Sequence, residues 1–220
     1  MVFCSDNAFC ASLPAGERAR LCEGCRKRLV KAGSIDLSDR MAEENAIVLD
    51  GALLAVARTG EGASRAPSPT MSSLCLPGRF LSQEVIFHLR GDVPASSVTM
   101  EYLTDCCVAS FSPAFIGRLY DESRLFAQRL HESDIQLLFD HATYIGSLRA
   151  EGAFAKTALL VQQLAQQRLF VPNNSLALLL ACDRTTVSRA MARIRRELPD
   201  LWAAFEASRH RSIEMLRPEA

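Results

Sequence analysis

Residues 175–198 read SLALLLACDRTTVSRAMARIRREL, and five arginines stand in the last part of that stretch: Arg184, Arg189, Arg193, Arg195 and Arg196. A guanidinium is a planar fork of donors that matches phosphate oxygens and the O6/N7 edge of guanine. No acidic residue lies between Asp183 and Glu197, so the spacing predicts arginines without a carboxylate partner four residues away. Cysteine supplies a second chemistry. The chain has eight, of which Cys4, Cys10, Cys22 and Cys25 fall near the N-terminus and Cys106 and Cys107 are adjacent. Thiolates suit soft metals, and a C-x-x-C spacing brings two sulfurs to one centre. His88, His131, His141 and His210 show no ligand spacing, and no P-loop, nucleophile elbow or dinucleotide fingerprint occurs.

The arginines need elements to present them. Asn174 or Ser175 is a candidate N-cap for a short helix over 176–181, and Asp183 for a second helix, with its carboxylate accepting from Thr185 or Thr186. In that second helix Val187, Met191, Ile194 and Leu198 make one apolar stripe, leaving Arg189, Arg193 and Arg196 on another face. Two short helices joined by a tight turn, the second basic at its front, form a helix-turn-helix pattern.

Upstream, AIVLDGALLAVA (46–57) brackets Asp50-Gly51 like a hairpin, and a polar loop follows around Gly60, Gly62, Pro67 and Pro69. SLCLPGRF, SSVTMEYL and CCVASFS are further short strands, so the spacing predicts a small barrel or sandwich. Cys106 and Cys107 alternate across their strand, which puts one of the two in the core. From Ser112-Pro113 the period becomes helical. Leu130, Leu137 and Tyr144 recur every seven residues, with Leu138 and Ile145 beside them. That stripe could meet a partner helix or line the core face of a single helix. A further helix, AFAKTALLVQQLAQQ, ends at RLFVPNN. The chain is 49% hydrophobic and 23% charged with zero net charge. No apolar run approaches the roughly 20 residues of a membrane span, and no secretory signal is visible. A cytoplasmic protein without enzymatic activity is expected.

DRTTVSRAMARIRRE resembles the recognition helix of the cyclic-AMP receptor / fumarate-nitrate regulator (Crp/Fnr) family of bacterial transcription factors. EENAIVLDGALLAV, LCLPGRFLSQE and AFAKTALLVQQLAQQ are similar, in order, to the family's glycine-ended hairpin, the entry to its ligand-binding segment and the first helix of its DNA-binding domain. The likeness spans residues 28–198. It implies an α+β protein: an N-terminal β-roll of the cyclic-nucleotide-binding jelly-roll type, a long dimerisation helix and a C-terminal winged-helix-like helix-turn-helix. The corresponding domains are 1–119, 120–149 and 150–220. By position, Arg184, Thr185, Ser188 and Arg189 would face bases and phosphates of a palindromic duplex, and Thr186 and Arg193 complete the candidate set. The implied assembly is a homodimer on double-stranded DNA, with RNA polymerase as a further partner and no membrane.

The chain departs from the family in three places. Cyclic-nucleotide members hold the ligand phosphate with an Arg-Ser pair; here Ser96 and Ser97 stand without arginine, and Gln83 sits where the family glutamate would align, with Glu84 shifted one place on. After Leu198-Pro199, LWAAFEASRHRSIEML reads as a helix in place of the wing, with Leu201, Trp202, Phe205 and Ile213 for packing. Cys182 occupies a turn that often holds glycine, as a small buried thiol. The fumarate-nitrate branch also implies an oxygen-labile iron–sulfur cluster, for which Cys4, Cys10, Cys22, Cys25 and Cys107 are the candidate ligands. Zinc, a Cys22/Cys25 thiol–disulfide switch and unreactive thiols remain open beside it. The regulator would answer a small-molecule, redox or oxygen signal. The rival reading is a protein-binding β-roll with a vestigial helix-turn-helix.

Overall fold

The structure is a computed structural model and describes residues 7–37, 44–59, 69–81 and 96–215. Cys4, the loop at 60–68, Gln83, Glu84 and His88 lie outside the described residues. The chain divides into two compact units between Asp140 and His141.

The first unit begins with α1 (Ala8–Ala11) and α2 (Ala15–Glu23), followed by β1 (Arg26–Val30), β2 (Ile35–Leu37), β3 (Asn45–Asp50) and β4 (Leu53–Thr59). Next come β5 (Pro69–Cys75), β6 (Phe80–Leu81), β7 (Ser96–Tyr102), β8 (Cys106–Phe111) and α3 (Pro113–Glu122). The long helix α4 (Arg124–Arg149) carries the chain past the unit boundary. The strands make two antiparallel four-stranded sheets, ordered β1-β8-β3-β6 and β2-β7-β4-β5.

The expected Asp50-Gly51 hairpin is corrected: β3 pairs with β6 and β8 and β4 with β5 and β7, so the turn crosses between sheets. Gly51 holds φ 87°, and a Cβ there would sit 2.5 Å from the Asp105 carbonyl oxygen and 2.6 Å from Cys106 Sγ. The corner therefore needs both the left-handed torsion and the missing side chain.

The apolar runs in β3 and β8 show no alternation because both faces of these strands are covered. Ala46, Val48, Cys106 and Val108 join Leu53, Ala55, Met100 and Tyr102 between the sheets. Ile47, Leu49, Cys107, Ala109 and Phe111 face the other way, onto Phe9, Cys10, Leu21, Ile116 and Phe126 from the flanking helices. Both Cys106 and Cys107 are thus buried, where alternation had put only one inside. Asn7 fastens the N-terminus: its Oδ1 accepts from Cys10 N at 3.3 Å to cap α1, and its Nδ2 donates to the Val48 carbonyl at 3.1 Å. The Ser112 hydroxyl caps α3 by accepting from Phe115 N.

Of the two readings open for the seven-residue stripe of α4, the structure shows the core face: Leu130, Leu137 and Tyr144 are buried within the chain itself. Leu130 joins the cluster of flanking helices, Leu137 joins the cluster between the sheets, and the Tyr144 hydroxyl donates to the Leu179 carbonyl at 2.8 Å. The exposed large apolar side chains of α4 are Ile135, Leu138 and Phe139, at 54%, 67% and 63%. Two polar contacts pin α4 to β6 and the turn before it. Arg79 Nε donates to Asp140 Oδ2 at 2.5 Å, and Phe80 N donates to the Ser133 hydroxyl at 2.9 Å.

The second unit holds α5 (Gly152–Gln166), α6 (Asn173–Leu179), α7 (Arg184–Glu197) and α8 (Pro199–Met215) around Leu160, Val161, Leu164, Val171, Leu176, Val187, Ile194 and Phe205. Helix α6 starts after Pro172 and runs from Asn173 to Leu179, earlier than the expected 176–181, and neither Asn174 nor Ser175 is its cap. The fixed φ of proline, here −62°, already suits the entry to a helix. Leu198 ends α7 and is 39% exposed, so it leaves the apolar stripe. Helix α8 takes the place of a wing, and no strand follows α7 among the described residues. No described helix is long and apolar enough to cross a membrane.

Candidate nucleic-acid interface

The turn between α6 and α7 sets how the arginines are shown. Cys182 N donates to the Ala177 carbonyl at 3.0 Å and Ala181 N to the Leu178 carbonyl at 3.2 Å, the two bonds of a Schellman motif. Ala181, at φ 48°, takes the left-handed position usually given to glycine. Arg168, at φ 55°, closes α5 in the same way, through Leu169 N to Leu164 O and Arg168 N to Ala165 O. Cys182 is half-buried rather than the buried thiol expected, and burial pushes its thiol up, with Asp183 adding to the shift.

Asp183 then starts α7. Its Oδ1 accepts from Thr186 N at 2.8 Å and its Oδ2 from the Thr186 hydroxyl at 2.7 Å. The Thr186 hydroxyl, followed by the Thr186 backbone N–H, holds the Asp183 carboxyl below its usual range. Val187, Ala190, Met191 and Ile194 are buried, which fixes the roll of α7 about its axis. Arg184, Thr185, Ser188 and Arg189 are consequently exposed on one side of its first turns. Among the described residues neither Arg184 nor Arg189 has an ion-pair partner.

Arg193 behaves differently, and the expectation of no partner at i+4 is corrected. Its Nε donates to Glu197 Oε2 at 2.8 Å, and its guanidinium lies 4.0 Å from the Phe154 ring centroid. Arg196 also donates to Glu197 at 3.0 Å, and these bonds, Arg196 first, hold the Glu197 carboxyl below its usual range. The front of α7 therefore keeps its cationic groups for solvent or a ligand, while its rear spends part of them internally. Asn173, which sequence reasoning passed over, donates from Nδ2 to the Ser188 hydroxyl at 3.4 Å. Its signal was the polar Asn-Asn pair opening α6, read as the end of the preceding helix and, at Asn174, as a candidate cap.

The candidate metal ligands lie in the first unit. Cys10, Cys22 and Cys25 line one small apolar cavity beside Phe111, and Cys107 belongs to the same cluster. That cavity has room for about one water, roughly 10 Å³. Among the described residues no three Cys, His, Asp or Glu side chains are arranged to hold a metal ion. Burial pushes the Cys75 and Cys106 thiols up to about 12. Of the histidines, His131 Nε2 meets the Tyr120 hydroxyl at 3.0 Å, and burial lowers His141.

No family model matches the chain, and no curated protein matches it. Solved structures do. The c-di-GMP-responsive global regulator CLP of Xanthomonas campestris aligns at a TM-score of 0.55 and 14% identity, over 84% of this chain and 93% of that one. FixK2 from Bradyrhizobium japonicum aligns at 0.54 and 13%, over 79% and 85%. A protein from Eubacterium rectale assigned to the Crp/Fnr family of transcriptional regulators aligns at 0.53 and 15%, over 86% and 87%. At these identities the likeness speaks for architecture. The two facing sheets, the long helix and the capped pair α6–α7 together give this chain the fold of the Crp/Fnr regulators.

Proposed function

We propose that the protein is a DNA-binding transcriptional regulator that works as a homodimer, with no catalytic role. One observation carries the reading. Helix α7 is capped by Asp183 and seated on Val187, Met191 and Ile194, and it turns Arg184, Thr185, Ser188 and Arg189 outward with both arginines unpaired among the described residues. Such a helix front suits the major groove, with arginine reading guanine or gripping phosphate. Thr186 acts behind it through the Asp183 cap, and Arg193 at its rim, held by Phe154 and Glu197.

The second copy would dock on the outer stripe of α4. Ile135, Leu138 and Phe139 are the large apolar side chains that this helix leaves exposed. A twofold pair presents two α7 helices, which calls for a palindromic operator with half-sites about 34 Å apart. The N-terminal roll would set that spacing in answer to a small-molecule, redox or oxygen signal, and RNA polymerase would be the further partner of the bound dimer.

Selection from a randomised duplex pool tests this. The expected result is a dyad-symmetric consensus whose affinity falls steeply with salt. Arg189→Ala is expected to lose about 1–3 kcal/mol on the selected duplex and to relax the preference at one position of each half-site. A pool that never enriches, or a variant that binds as tightly as the parent, would overturn the proposal in favour of a roll that binds protein.

A further inference from the structure

Among the described residues no three metal-ligating side chains are arranged to hold an ion, yet Cys10, Cys22 and Cys25 line one cavity. Cys10, Cys75, Cys106 and Cys107 are buried, whereas Cys22 and Cys25 are half-exposed. Cys22 sits in the last turn of α2, Gly24 is its C-cap at φ −83° and ψ −1°, and Cys25 follows. Those torsions continue a helical turn, so the two Cα atoms stand roughly 5–6 Å apart, inside the range a disulfide spans. The Cys25 thiol is already folded back over residue 22, with its Sγ 3.2 Å from the Cys22 carbonyl oxygen.

The geometry points to the Cys22–Glu23–Gly24–Cys25 turn as a site of oxidation by hydroperoxides, closing to a disulfide that is felt in α3. One thiolate attacks the terminal peroxide oxygen; the O–O bond breaks, an alcohol or water leaves, and a sulfenic acid forms. The second thiol attacks that sulfur, the S–O bond breaks and water leaves. Two thiols give up two electrons and two protons in all, and the peroxide is reduced by two electrons.

The connection to α3 runs through Gly24. A Cβ on this residue would lie 2.3–2.6 Å from three ring atoms of Phe115, so the ring rests directly on the Gly24 backbone. Phe115 belongs to the first turn of α3 and stacks on Phe111 at 6.2 Å with planes 8° apart. Joining the sulfurs on either side of Gly24 withdraws Cys25 Sγ from the Cys22 carbonyl and moves the surface on which Phe115 lies.

The test uses the reduced full-length protein and hydrogen peroxide, and its readout is independent of duplex binding. Expected is a loss of about 2 Da, a peptide joining Cys22 to Cys25, and amide exchange in α3 (113–122) several-fold faster than in the reduced protein. Cys22→Ser/Cys25→Ser should show neither change. A disulfide through Cys10 or Cys107 instead, or Cys22 and Cys25 still open to alkylation after treatment, would overturn the assignment. A correct disulfide with unchanged exchange in α3 would overturn the link through Phe115.

Discussion

Ala181 and Arg168 hold left-handed torsions, φ 48° and 55°, at the ends of the two helices that precede the exposed arginines. For an L-residue this conformation costs roughly 1–2 kcal/mol, and glycine avoids it. Glycine gives back about 0.5–1 kcal/mol through the greater freedom of its unfolded chain. The difference predicts that Ala181→Gly stabilises the protein by about 0.5–1 kcal/mol, and Arg168→Gly by a similar amount. The two sites are separated by α6, a span of about 10 Å, so the gains should add to about 1–2 kcal/mol. Urea unfolding followed by circular dichroism reads this as a higher midpoint at unchanged slope. Heating reads it as roughly 2–4 °C per kcal/mol for a chain of this length. Ala192→Gly, at an exposed interior position of α7, is the control and should move the other way by about 1 kcal/mol. If Ala181→Gly matched or fell below the parent while the control behaved, the left-handed torsion would not be the source of cost at this turn.

Other perturbations have definite expected outcomes. Asp140→Asn leaves Arg79, whose side chain is 11% exposed, without its carboxylate, and should cost about 3 kcal/mol in urea unfolding. Asp183→Ala should destabilise at neutral pH by removing the α7 cap. The folded carboxyl lies below its ordinary value of 3.8, so the cap's contribution is present above that pH and is lost as pH falls through the folded value. The gap between parent and variant in acid unfolding should therefore close below pH 3.8. Leu138→Glu on the outer stripe of α4 should shift sedimentation from dimer to monomer without lowering the helical signal, and an unchanged dimer would remove that stripe from the interface.

What the sequence disclosed depended on how local the controlling interaction was. The Asp183 cap spans three residues and was legible, as was the α7 stripe of Val187, Met191 and Ile194. The strands themselves were visible as apolar runs, but their partners were not. Alternation assigns a face only when one side is wet, and β3 and β8 have no wet side. A seven-residue repeat in α4 could not tell the chain's own core from a second copy, because both demand the same side chains at the same spacing. The Arg193–Glu197 pair stands four residues apart and was readable, but the expectation counted only acids between Asp183 and Glu197. The Phe154 ring over which Arg193 lies comes from another helix, and nothing local announces it.

The first sheet works as a partition one residue thick. Cys106 and Cys107 are neighbours along the chain, yet the strand they share puts them in different apolar chambers. A reagent that reaches the chamber of Cys107 from the helical side meets a wall of backbone before it meets Cys106. Mutational tolerance should follow the same plan. Along 46–49 and 106–111 no alternate position offers relief to a charged side chain, whereas the edge strand β1 already carries Arg26, Lys27 and Arg28.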